Sequence, residues 1–224
     1  MDDVVLSAPM FAGIDQDASR ELLASMARVD LPRGEALFHE GDAGDRLYVI
    51  GAGKVKLGRR SADGRENLLS VLGPGEMFGE LSLFDPGPRT ATATAVADAR
   101  LYELTHDELI TWVLHNPTVA KHLLGALARR LRRTNEALAD LVFSDVPGRV
   151  AKALLDLSTR FGQPVEDGLR VAHDLTQEEL AQLVGASRET VNKALADFTA
   201  RGWVRREGRA VVILDLNRLE RRAR

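Results

Sequence analysis

The chain has no cysteine in its 224 residues. That excludes disulfides, thiolate zinc sites, cysteine-ligated iron–sulfur clusters and a cysteine nucleophile. No apolar run exceeds a few residues, so no membrane-spanning helix is expected. The N-terminus, MDDVVLSAPMF, is acidic and has no basic n-region. It does not read as a secretory leader, and a cytoplasmic protein is the expectation. Neither sign of charge dominates: 30 Lys and Arg face 33 Asp and Glu, a net charge of -3. The balance is uneven along the chain. Residues 1–144 carry 16 basic and 21 acidic side chains, and residues 145–224 carry 14 and 12. A mildly basic C-terminal part is a weak pointer to nucleic acid. At 24.5 kDa the chain can form one large domain or two small ones.

Residues 14–27 place Ala18, Leu22, Leu23 and Met26 at helical spacing. From about 30 to 104, glycine recurs every few residues between short strand-like pieces: LYVI (47–50), KVKLG (54–58), NLLSVL (67–72) and TATATAV (90–96). Ala62-Asp63-Gly64 reads as a hairpin turn. Such spacing predicts a small antiparallel barrel or jelly roll. From Asp107 to Phe143 the pattern is helical, broken once at Asn116-Pro117. Within it Leu124, Leu127, Leu131, Thr134, Leu138 and Leu141 step by three and four, the seam of two paired helices. A helix packed on its own domain is the alternative. Thr134 is the polar exception, a position that sets register or serves a site. Asp145 reads as the N-cap of a further helix with Pro147 in its first turn, and residues 162–172 as a loop leading to a short strand.

Residues 174–200 follow helix-turn-helix grammar. Thr176 and Glu179 form a capping box, Gly185 supplies the turn and Ser187 caps the second helix. The small Ala181 suits a close helix crossing, and Val191 faces the core. The start of the second helix then presents Arg188, Glu189, Asn192 and Lys193. Arg pairs bidentately with guanine, Glu accepts from cytosine N4, and Lys reaches guanine or phosphate. Ser187 and Thr190 suit phosphate contacts. Downstream, GWVRREGRAVVIL (202–214) reads as a hairpin turning at Glu207-Gly208 and rich in arginine. Helix-turn-helix and basic hairpin together make a winged helix.

Three stretches now carry a resemblance over nearly the whole chain: FGELSLFDPGPRTATA (78–93), RRLRRTNEALADL (129–141) and LTQEELAQLVGASRETVNKAL (175–195). In this order they resemble the CRP/FNR family of bacterial transcription regulators, and the chain is similar to its actinobacterial cyclic AMP receptor proteins. The resemblance implies an α+β architecture: an N-terminal cyclic-nucleotide-binding jelly-roll barrel (1–107), a long dimerisation helix (108–144), a hinge (145–148) and a C-terminal winged helix-turn-helix (149–224). It also implies cyclic AMP as the allosteric ligand. The residues expected to hold it are Gly79, Glu80, Leu81, Ser82, Arg89 and Thr90 from the barrel, with Arg130, Thr134 and Asn135 from the helix. Gly79 lets backbone approach a phosphate, and Arg89 can pair with it bidentately. Glu80 can accept from a ribose hydroxyl, and Ser82 and Thr90 supplement the phosphate cradle. Thr134 faces the adenine from its own subunit and Asn135 from the partner. Asn135 stands where relatives commonly carry Ser, which leaves the strength of ligand coupling open. Arg130 either lines the pocket or is a solvated flanking charge.

For DNA, the resemblance assigns Thr176, Gln177, Ser187, Arg188, Glu189, Thr190, Asn192 and Lys193. Lys193 stands where relatives often carry Arg, so it lacks the fork geometry. The implied half-site resembles TGTGA, two of them lying about 34 Å apart under a symmetric homodimer on double-stranded DNA. RNA polymerase is the implied partner for activation, through the exposed 162–168 loop. The oxygen-sensing branch of the family needs cluster-binding cysteines, which are absent. His115 and His122 are two turns apart, too far to share a metal, and His39-Glu40 has no second His-x-His partner. Neither a metal nor an enzyme activity is expected. The tail RLERRAR (218–224) reads as solvated, a phosphate contact being the alternative. Two other functions stay open. One is a same-fold regulator, or a broad chromosome-binding protein, weakly or not gated by cyclic AMP. The other is a nucleotide module serving an enzyme or channel, which leaves residues 174–214 unexplained.

Overall fold

The structure is a computed structural model that describes residues 4–8, 11, 15–61, 64 and 66–224. Ala62 and Asp63, from the expected hairpin turn, lie outside the described residues; Gly64 there has the positive φ expected of it. The chain divides into two compact units, residues 1–59 with 69–133, and residues 60–68 with 134–224.

The first unit opens with a short 3-10 turn (Val5–Ser7) and helix α1 (Gln16–Ser25). Strands β1 (Ala27–Leu31), β2 (Ala36–Phe38), β3 (Arg46–Arg60), β4 (Glu66–Leu72) and β5 (Met77–Phe78) follow. A one-turn helix α2 (Leu81–Phe84) precedes β6 (Thr92–Thr105). The sheet runs β1-β6-β3-β4, with β2 also on β6 and β5 also on β3. It is jelly-roll-like, one of the two expected forms, and among the described residues it does not close into a barrel. The strand-like pieces 47–50 and 54–58 are one strand. Glycine at 51 and 53 does not end β3; it bulges it, with register shifts against β6 between Ile50 and Val55.

Alternation along β3 and β6 aims Ile50, Val55, Leu57, Ala93, Ala95 and Leu101 at one core, with Phe78. A second core joins Leu22 and Leu23 of α1, and Met26 just after it, to Leu104, Leu109, Val119 and Leu123. Burying an aliphatic side chain of this size contributes about 1.5–3 kcal/mol, which is why the α1 periodicity was readable.

Helix α3 (His106–His115) starts at a complete Thr105/Glu108 capping box and ends at Asn116, where Pro117 opens α4 (Pro117–Phe143). Val119 and Leu123 anchor the start of α4. Beyond them its apolar seam is uncovered: Leu124, Leu131, Leu138 and Leu141 are 67%, 62%, 58% and 51% exposed. That degree of exposure does not fit a helix packed only on its own domain.

In the second unit Asp145 caps α5 (Val146–Phe161) through Gly148 N–H at 2.9 Å, with Pro147 in the first turn. The expected hinge residues 146–148 are therefore already helical. Residues 162–172 differ from expectation: they form a hairpin, β7 (Gly162–Val165) and β8 (Gly168–Ala172). Pro164 hid it, since proline is admitted only at the edge of a sheet, where β7 lies. Helices α6 (Gln177–Val184) and α7 (Arg188–Ala200), strands β9 (Val204–Glu207) and β10 (Ala210–Ile213), and helix α8 (Leu216–Arg222) complete the unit. Its sheet order is β7-β8-β10-β9. Val150, Leu154, Leu157, Leu180, Leu195 and Phe198 are wholly buried among these elements.

In the C-terminal tail Arg218, Glu220, Arg221 and Arg224 are exposed, as expected of a solvated tail, but the segment is also packed. Leu219 is fully buried and α8 packs on α5. Arg222 bonds to the Asp145 carboxylate at 2.6 Å.

Candidate ligand pocket and nucleic-acid interface

Arg89 follows the Pro86-Gly87-Pro88 turn, and its backbone is tied to the opposite loop: its N–H donates to Asp42 O, and its carbonyl accepts from Gly41 N–H. This draws the side chain inward, where it is 4% exposed. Its Nη1 donates to Arg46 O at 2.9 Å and to Gly79 O at 3.0 Å. Its Nε has no hydrogen-bond partner. Among the described residues no carboxylate pairs with it, so a buried cation lacks a counter-charge. Taking an ion out of water costs several kcal/mol unless it is paired. The guanidinium instead lies over the Phe38 ring, 4.3 Å from its centroid, with Tyr48 at 5.8 Å.

Gly79 has φ +85, and a Cβ there would meet Arg46 O and Arg89 Nη1, each at 2.8 Å. No other residue fits beside the guanidinium. Glu80 and Ser82 are also buried, at 1% and 7% exposure. Arg130 Nη1 bonds Glu80 Oε1 at 2.6 Å, so Arg130 is not merely a solvated flanking charge. The other oxygen, Oε2, is buried with no partner. Leu81 and Thr90 are exposed, and with Ser82 they line an open cleft of about 280 Å³. The structure thus gathers Gly79, Glu80, Ser82, Arg89 and Arg130, with Leu81 and Thr90 at the rim. Thr134 and Asn135 lie exposed on α4, in the second unit.

The helix-turn-helix matches its sequence grammar closely. Thr176 accepts from Glu179 N–H at 3.1 Å, and Glu179 reaches back to Thr176 N–H at 2.7 Å. Gly185 is left-handed, φ 68 and ψ 45. Ser187 caps α7 by accepting from Thr190 N–H at 3.2 Å. Val191, Ala194, Leu195 and Phe198 bury one face of α7 and leave Arg188, Glu189, Thr190 and Lys193 exposed. Asn192 departs from the expected exposed face: it is half-buried, with Oδ1 covered and unpartnered. Gln177 is likewise half-buried with Oε1 covered. The Thr176 hydroxyl is occupied by its cap.

On the wing, Arg205 bonds to the Asp167 and Glu207 carboxylates, and Arg170 bonds to Glu207 as well. The hydrogen bond from Arg205 holds Asp167 below the usual carboxylate range; those from Arg170 and Arg205 do the same for Glu207. This ion cluster joins the β7–β8 turn to the wing and occupies Arg205, whereas Arg206 and Arg209 are exposed.

Comparison with known proteins agrees with both halves. The profile of the cyclic nucleotide-binding domain matches residues 28–116, and that of the Crp-like helix-turn-helix domain matches residues 148–222. The CRP-like cAMP-activated global transcriptional regulator of Mycobacterium tuberculosis (strain ATCC 25618 / H37Rv) is 58% identical over the full length of both chains. This chain belongs to the CRP/FNR family of transcription regulators. Within that family, the cyclic AMP receptor protein of Thermus thermophilus is 39% identical over 88% of each chain. A solved structure of the c-di-GMP-responsive global regulator CLP of Xanthomonas campestris superposes with a TM-score of 0.76. It has 28% identity and covers 89% of this chain and 99% of that one.

The family is one of DNA-binding regulators, not enzymes, and the helix-turn-helix described above is its DNA-reading module. Sequence reading missed Phe38 and Tyr48, the aromatic faces on Arg89. Neither lies near Arg89 in the chain, and no spacing rule joins them. It also missed Gly44, where a Cβ would meet Ser82 Oγ at 2.5 Å. The pairing of Asp145 with Arg222 crosses 77 positions of sequence and carried no local signal either.

Proposed function

We propose that the chain is a cyclic-AMP-responsive transcription regulator, a homodimer acting on palindromic DNA with TGTGA-like half-sites. The observation that carries the ligand reading is Arg89, a buried guanidinium with two neutral acceptors and, among the described residues, no carboxylate partner. A cyclic phosphate supplies the missing charge in the bidentate geometry that guanidinium prefers. The spare Glu80 Oε2 is a ready acceptor for a ribose hydroxyl. Thr134 and Asn135 read the base from paired α4 helices, and the uncovered seam from Leu124 to Leu141 is the dimer contact. Arg188, Glu189 and Lys193 read base edges, while Ser187 and Thr190 take phosphate. The exposed β7–β8 turn is the surface offered to RNA polymerase. Ligand binding shifts the population in which two recognition helices match the operator spacing. No described helix is long and apolar enough to cross a membrane, in keeping with a cytoplasmic regulator.

One observation favours a second reading. Asn135, exposed on α4, stands where relatives commonly carry Ser. DNA binding weakly gated or ungated by cyclic AMP, as in a broad chromosome-binding protein, fits that difference. Fluorescence anisotropy at one stated salt separates the two, using a TGTGA palindrome and a scrambled duplex with and without cyclic AMP. A ligand-dependent gain confined to the palindrome is expected. Tight specific binding indifferent to cyclic AMP establishes the second reading instead.

A further inference from the structure

We infer that Phe38 is a positioning residue for phosphate recognition, presenting the Arg89 guanidinium to an anion through the face of its ring. The inference rests on the cyclic-nucleotide reading of the pocket and goes beyond it to a residue that acts through Arg89. Arg89 is buried and still charged, and the described residues offer it carbonyl oxygens but no carboxylate. What covers its flat face is aromatic: the Phe38 centroid lies 4.3 Å from Cζ. A cation over a ring face is attracted by the ring quadrupole, more strongly where water is excluded. The attraction uses the flat face and leaves the in-plane N–H donors for hydrogen bonds. A carboxylate in place of the ring would also hold the cation, but it would occupy those donors and compete with phosphate.

The ring itself is held. Phe38 ends β2, opposite Ala93 on β6 after a register shift. Its centroid lies 6.0 Å from those of both Tyr48 and Phe78, which stack on each other at 5.4 Å. The aromatic cluster thereby fixes the plane of the guanidinium, and the two carbonyls on Nη1 fix its rotation within that plane.

Calorimetric titration of the full-length protein with cyclic AMP and with cyclic GMP tests this. Phe38→Leu keeps an apolar cover but removes the quadrupole. It is expected to weaken both ligands by the same factor, roughly threefold to thirtyfold, because the ring acts on the phosphate that they share. Phe38→Tyr and Phe38→Trp are expected to bind like the parent protein. Equal affinity in Phe38→Leu overturns the inference, as does a Phe38→Tyr variant as weak as Phe38→Leu with both folded by their unfolding midpoints. A ligand-free readout accompanies the titration. In protein labelled with 15N-arginine, the Arg89 Hε resonance, assigned by its loss in Arg89→Lys, is expected to be displaced by the ring current and to return in Phe38→Leu. An undisplaced resonance in the parent protein overturns the inference even where Phe38→Leu does not fold. If the parent protein binds neither nucleotide, the pocket reading falls, and the resonance alone decides whether Phe38 orients Arg89.

Discussion

Arg89 is costly to the ligand-free protein, because burial strips its water and no carboxylate among the described residues repays the loss. That cost is the measurable mark expected of the proposed binding residue. Replacing it with methionine of similar length removes the proposed phosphate counter-charge. Cyclic AMP affinity is expected to fall by about a hundredfold or more, in the range for losing a buried charge-assisted contact. The ligand-free protein is expected to unfold at the same or a higher denaturant midpoint, because an unpaired buried cation is gone. Lower stability together with unchanged ligand affinity would make Arg89 a structural residue. Asp145 poses the opposite case, a charge placed to stabilise. The hydrogen bond from Arg222, then that from Gly148 N–H, holds its carboxyl below the usual range. Its folded pKa is therefore below its unfolded value of about 3.9. The stabilisation is fully present above that value and is lost as the pH falls through the lower folded value. Asp145→Asn keeps a capping oxygen but loses the charge on Arg222. It is expected to be less stable than the parent protein at pH 7, with the difference shrinking as the pH falls below about 4 in denaturant titrations. A gap that stays constant with pH would remove the ion pair from the account.

The elements that sequence read best are those whose ends carry their own chemistry. The Thr176/Glu179 box, the left-handed Gly185 and the Ser187 cap define α6 and α7 within a few residues of chain. Gly185 is held twice over. Its φ of 68 disfavours any Cβ, and the Cβ would stand 3.0 Å from Leu141 Cδ2. Arg149 adds to this turn, with Nε on Val184 O at 3.0 Å and Nη1 on Ser144 O at 2.8 Å. Gly185→Ala is therefore expected to cost about 1–2 kcal/mol, read as a lower unfolding midpoint of the second unit, and to weaken DNA binding with it. Unchanged stability would mean that the turn relaxes freely. Elements held by distant partners are less legible. Strand β7 holds a proline and lies at the edge of a sheet that β8 and β10 continue. Helix α8 is short and arginine-rich; Asp215 caps it through Arg218 N–H at 3.0 Å, and burial of Leu219 packs it on the rest of its unit.

For the whole molecule, the uncovered seam on α4 is decisive. Four leucines more than half exposed in one stripe are unfavourable in water and favourable against a second copy of the same stripe. Leu131→Glu places a charge in the middle of that stripe. Sedimentation or light scattering is expected to shift the protein from dimer to monomer. Affinity for a two-half-site palindrome is expected to fall much further than affinity for a single half-site. A Leu131→Glu dimer of unchanged mass would place the dimer contact elsewhere.

By itself the sequence determined the local and the periodic. It carried the glycine-punctuated strands, the break at Pro117, the heptad seam, the helix caps and the exposed Arg188, Glu189 and Lys193, because backbone preference and hydrophobic spacing act over a few residues. It also singled out Gly79, Glu80, Ser82 and Arg89 through a motif. The tertiary structure alone decided what surrounds them. It merged short pieces into the long β3 and left the sheet open. It set Phe38 and Tyr48 against the Arg89 guanidinium, joined Arg130 to Glu80, and brought Arg222 back to Asp145. Burial, missing counter-charges and aromatic faces are properties of residues that meet from distant parts of the chain, and no spacing along the chain records them.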